Sequence, residues 1–150
     1  MKMAEGGIYI YVSQNIAKQV SVLSMSPETG KLTPVQDIKV DGKAEPMCIS
    51  PDRRFLYLAL RSKPFKVASF AIDGQTGKLT LLGYTPVVES VVNLSTDRTG
   101  RWLLCAINPN EDHTTLDRYA GGRRTGNGQV QHAQAALPQP SILLKPAIQE

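Results

Sequence analysis

With 17 basic and 13 acidic residues among 150, and 41% of them hydrophobic against 20% charged, the chain has enough apolar material for a core and excludes general disorder. The net charge of +4 is scattered up to Gly100, and the densest basic cluster, Arg118 with Arg123 and Arg124, has only Tyr119 as a stacking partner, which argues against a nucleic-acid surface. No apolar run approaches a bilayer span and residues 1–7 carry no secretory stretch, so a cytoplasmic protein without membrane partners is expected.

Along the chain, short apolar runs alternate with turn residues. Ile8 to Val12 is the first strand-sized run and Val20 to Leu23 the second, followed by the turn Glu28-Thr29-Gly30-Lys31-Leu32-Thr33. The next stretch predicts strands over 47–50, 55–61, 66–72 and 79–85. Ser50-Pro51-Asp52-Arg53-Arg54 joins the first two, because proline presets φ and an aspartate can bond the backbone beyond it. Asp73-Gly74-Gln75-Thr76-Gly77 joins the last two, with two glycines available for positive φ. Ser95 to Arg101 then reads as a turn of the same job, two residues longer, before the apolar run Trp102 to Ala106.

These elements repeat. Ile8 to Val12 reads as returning at Phe55 to Ala59 and again at Trp102 to Ala106, each displaced by 47, and Val20 to Leu23 returns as Val67 to Phe70. A period of that length made of short strands points to an all-β propeller, with one blade of four antiparallel strands per repeat. Blade 1 is expected at about 8–40, blade 2 at about 46–86, blade 3 at about 91–137 and the start of blade 4 at about 140–150. Between 107 and 126 no run resembles Val20 to Leu23, so the third blade reads as disrupted there, by a loop insertion or an altered reading frame. The pattern resumes at Asn127-Gly128-Gln129-Val130, which stands where Thr76-Gly77-Lys78-Leu79 stood. At little more than three repeats, the chain reads as a piece of a larger ring whose first blade lacks its opening strand. Open blade edges of that kind invite self-association.

Ser50-Pro51-Asp52-Arg53-Arg54-Phe55-Leu56-Tyr57, then Val67 to Asp73 and Thr76-Gly77-Lys78-Leu79, resemble the lactonase family of seven-bladed propellers, whose best-known members are propeller-type 6-phosphogluconolactonases. The resemblance implies that about three of seven blades are present. It also implies a carboxylic-ester hydrolase of the pentose phosphate pathway, turning 6-phosphogluconolactone into 6-phosphogluconate without metal or other cofactor, with this chain an incomplete or inactive piece of that enzyme. A base to activate water, and cationic or N–H donors for the oxyanion and the phosphate, would be enough.

Carried onto this chain, the resemblance makes Arg61, at the end of a strand, the first candidate for an anion contact. Glu45, just before an innermost strand, is the catalytic candidate, as base or orienter. Gln14 and Asn15, at the equivalent strand end one blade earlier, are further substrate-binding candidates. Pro140 stands where the family tends to have a histidine, and His113 and His132 are off-pattern. A non-catalytic propeller module that binds a protein or sugar, and a lactonase or cyclase for muconolactone-type acids, are the alternatives. Cys48 and Cys105 have no histidine or second cysteine at ligand spacing and read as small buried hydrophobes.

Overall fold

The structure, a computed structural model, describes residues 7–87, 89–107, 118–124 and 130–136. The regular elements among them are strands joined by turns, in three antiparallel sheets. The first sheet holds β1 (Ile8–Gln14), β2 (Gln19–Met25) and β3 (Leu32–Lys39), in that order. The second is β4 (Ala44–Ile49), β5 (Phe55–Leu60), β6 (Lys66–Ile72) and β7 (Leu79–Pro86). The third is β8 (Val91–Thr96), β9 (Trp102–Ile107), β10 (Arg118–Arg124) and β11 (Val130–Ala136). Each is a meander of neighbours, as a propeller blade requires, and the all-β propeller class holds.

Burial explains the pattern of β5. All six residues, Phe55 to Leu60, are buried, because the strand is covered on both faces by neighbouring sheets and so reads as a continuous apolar run rather than an alternation. Leu56, Leu58 and Leu60 turn to the first sheet and pack with Val20, Val22, Ala68, Phe70 and Leu79. Phe55, Tyr57 and Ala59 turn to the third and pack with Val67, Val91, Leu94, Leu103 and Cys105. Each leucine or phenylalanine so buried is worth about 1.5–3 kcal/mol against exposure, so these two seams are the main glue between sheets. Ser69, on the face toward the third sheet, has the one fully buried side-chain oxygen without a hydrogen-bond partner among the described residues.

The register corrects the repeat. Tyr11 lies opposite Val22, and Tyr57 lies opposite Ser69. Positions 22 and 69 differ by 47, whereas 11 and 57 differ by 46. The first strand therefore matches the second blade at 46, not 47, because the turn after β5 is one residue longer than the turn after β1. A slip of one residue reverses every side chain. Tyr9 and Tyr11, not Ile8 and Ile10, face the second sheet, where their hydroxyls donate to the carbonyls of Gln75 and Gly77.

Two further differences are local. The turn at Ser95–Arg101 has the same length as its counterpart. Ser50 N–H donates to Phe55 O at 2.9 Å with Phe55 N–H returning to Ser50 Oγ at 3.0 Å, and Asp97 N–H donates to Trp102 O at 3.2 Å with Trp102 N–H returning to Asp97 Oδ1 at 3.0 Å. Both turns place their fourth residue at positive φ, Arg53 at 57° and Gly100 at 66°. In the second difference, the interval 107–126, read as lacking a third strand, contains β10, which pairs with β9 from Tyr119 opposite Ala106 to Arg123 opposite Trp102. A glycine-bearing, charged segment was too weakly apolar to announce itself, and its partners on both sides make it a strand. His132 lies on β11, the outer strand of its sheet. His113, Pro140 and the expected start of a fourth blade lie outside the described residues.

Candidate functional site

At one end of the sheets, residues from all three meet. Glu45 does not precede β4, as expected, but lies inside it at a bulge: Ala44 pairs with Leu60 and Met47 with Leu58, so three steps on β4 match two on β5. The bulge accommodates Pro46, which has no N–H to offer a ladder, and re-aims the neighbouring side chains. Arg61 directly follows β5, and its own N–H is fixed by Lys43 O at 2.9 Å. Asn15 directly follows β1 and is the counterpart of Arg61 at the spacing of 46 set by Gln14 and Leu60, the last residues of their strands.

The side chains converge on Glu45. Arg61 Nη1 donates to its Oε2 in an ion pair, and Asn15 Nδ2 donates to its Oε1. The Arg61 and Glu45 side chains are 33% and 27% exposed, so the pair is reachable from solvent yet shielded enough to hold its geometry. Arg61 Nε donates in turn to Ser90 Oγ at 2.8 Å, and Ser90 is the buried residue just ahead of β8. The chain of contacts thus runs from the first sheet through the second to the third. The energetic weight of this partly exposed pair is small, about 1 kcal/mol or less, and its consequence is positional. A guanidinium held from two sides presents its remaining donors in one direction, the requirement for holding a phosphate, a carboxylate or a developing oxyanion.

Of the four candidates, the structure brings Asn15, Glu45 and Arg61 together and leaves Gln14 apart. Gln14 Nε2 donates to Ser21 Oγ at 2.6 Å, and Ser21 donates to Asp37, a separate polar group on the first sheet. Ser90 was not singled out from sequence. Its signal was the repeat itself, since 90 lies 47 beyond Lys43, at the opening of the next innermost strand. Among the described residues no three His, Cys, Asp or Glu side chains are grouped to hold a metal ion, and no helix is long and apolar enough to cross a membrane.

A concavity of about 670 Å³ lies toward the other end, between the first and second sheets. Tyr9, Tyr11, Ile49, Arg53, Ile72 and Asp73 are among its lining residues. It holds none of the four candidates.

A family model described as Lactonase, 7-bladed beta-propeller matches residues 8–142. A 6-phosphogluconolactonase from Enterobacter sp. (strain 638) is 37% identical over 94 residues, 63% of this chain and 28% of that relative. A 6-phosphogluconolactonase from Pectobacterium atrosepticum is 39% identical over 97 residues, 65% of this chain and 28% of that relative. Each match thus takes in well under a third of the relative's own length. Among solved structures, the periplasmic gluconolactonase of Pseudomonas aeruginosa superposes with a TM-score of 0.72 at 22% identity, over 89% of this chain and 38% of that one, a likeness of fold.

Proposed function

Since the chain belongs to the lactonase family of seven-bladed β-propellers, we propose that it contributes to the hydrolysis of 6-phosphogluconolactone to 6-phosphogluconate. The observation that carries the reading is Arg61, clamped between Glu45 and Ser90 at the end of the sheets where Asn15 also arrives. In the reaction a water oxygen adds to the lactone carbonyl, the ring C–O bond breaks, the ring oxygen takes up a proton and the new acid loses one. Arg61 offers N–H donors to the anionic group of the substrate or to the oxyanion. Glu45 accepts from both Asn15 and Arg61, which suits it to orient Arg61 first, and its remaining lone pairs can take a hydrogen bond from the attacking water. A cytoplasmic setting fits a phosphorylated sugar substrate.

The test is acid release from 6-phosphogluconolactone at pH 7, corrected for spontaneous opening. The full chain is expected to accelerate it, and Arg61→Ala to lower kcat/KM by about 10²-fold, the scale of a lost charged contact to a transition state. Glu45→Gln, which leaves the side-chain shape intact, should lose about 10²-fold, the lower end of what a general acid–base group contributes. No acceleration by the purified full chain, or an Arg61→Ala variant as fast as the parent, overturns the reading.

A further inference from the structure

The cluster at Arg61 includes a residue whose chemistry is not explained by packing alone. Ser90 stands just before β8, is 8% exposed, and accepts the Nε–H of Arg61 at 2.8 Å through its hydroxyl. We infer that Ser90 is a positioning residue for the anion contact made by Arg61, an inference that rests on the lactonase reading above.

A guanidinium is planar and carries its donors in a fixed fork, so one hydrogen bond leaves it free to swing and two from different directions set its plane. Glu45 takes Nη1 from within the second sheet and Ser90 takes Nε from the entry to the third. Nη2 has no partner among the described residues and is left for a ligand. Without the Ser90 hydroxyl, Arg61 would keep the Glu45 ion pair but could rotate about it, and the ordering cost would fall on ligand binding. Ser90 also makes the contact depend on how the second and third sheets sit together, because it leads into β8 of the third sheet whereas Arg61 follows β5 of the second. A plain inter-sheet staple would affect stability instead and would leave anion affinity alone.

The experiment compares Ser90→Thr, which keeps the hydroxyl, with Ser90→Val, which has nearly the same volume without it, so that any packing cost is common to both. Dissociation constants for 6-phosphogluconate and for inorganic phosphate are measured by NMR titration of the full chain, with the Arg61 Nε–H resonance followed alongside. Expected are binding by Ser90→Thr within about twofold of the parent, and binding weaker by about five- to tenfold in Ser90→Val, the scale of one net hydrogen bond. Faster solvent exchange of the Arg61 Nε–H should accompany the loss. Equal affinities for the Thr and Val variants, with Arg61→Ala binding lost, overturn the role of Ser90 and leave the lactonase reading standing. Failure of the parent chain to bind either anion, or full binding by Arg61→Ala, overturns both.

Discussion

The two thiols show how far a single residue's surroundings set its chemistry. Cys105 is buried in the seam between the second and third sheets, and Cys48, half-buried, packs against the same cluster. Burial pushes each thiol up to about 12, with the neighbouring Cys48 adding to the effect at Cys105. A thiol in the unfolded chain titrates near 9.0, so below that pH both states are protonated and no stability difference arises. Between about 9 and 12 the unfolded state alone releases protons, and folding stability falls as pH rises. The measurement is a urea midpoint at pH 8 and at pH 10.5. The parent should lose more between the two than Cys48→Ala/Cys105→Ala, which lacks the groups, and equal losses would contradict the burial assigned here. The sequence reading of both as small hydrophobes rested on the absence of partners. Their nearness across a seam was invisible there, since they lie 57 positions apart on different strands.

At the level of elements, the two Thr-Gly-Lys-Leu turns look alike and carry different loads. Gly30 and Gly77 both adopt a φ of 68°. An added Cβ at Gly30 meets nothing within 4 Å, whereas at Gly77 it would fall 2.3 Å from the ring of Tyr9. Gly30→Ala should therefore cost only the left-handed strain, about 1–2 kcal/mol. Gly77→Ala should cost that strain and also displace Tyr9, with its hydroxyl bond to Gln75 O and the adjoining Tyr11 bond to Gly77 O. Chemical denaturation of the two variants should show Gly77→Ala the more destabilised by at least about 1 kcal/mol, on the scale of overpacking. Similar losses would mean that the first sheet does not rest on this turn. Strands and turns such as these were legible because apolar runs and glycine spacing report local backbone preference. The one-residue offset of β1 was not, because Ile8 to Val12 is apolar at nearly every position and either register looks acceptable until the facing sheet chooses.

For the molecule as a whole, sheets stack face to face, and what one sheet buries the next must supply. The second sheet buries Leu56, Leu58, Leu60, Ala68, Phe70 and Leu79 against the first. The matching outward face of the first sheet carries Ile8, Ile10, Val12, Leu23 and Leu32, with Ile8 42%, Val12 39% and Leu32 48% exposed. Beside it, β1 has a hydrogen-bonded neighbour on only one edge among the described residues. Such a face and edge favour association, so the full chain is expected to grow in sedimentation coefficient with concentration, and Val12→Lys to reduce that growth. A parent chain whose coefficient stays constant with concentration would remove the expectation.

What the residues alone could specify is what depends on near neighbours in the chain: period-two strands, tight turns, a repeat of about 47, and hence stacked four-stranded blades. Glu45, Arg61, Gln14 and Asn15 are nominated only through the resemblance to the lactonase family, carried onto strand ends and the approach to an inner strand. Only the folded molecule decided that Asn15 and Arg61 share one carboxylate, that Gln14 turns to Ser21 instead, and that Ser90 completes the group. These partners come from three sheets and lie up to 75 positions apart. Their meeting depends on one bulge, one turn length and the packing of faces, and none of these leaves a periodic mark in the sequence.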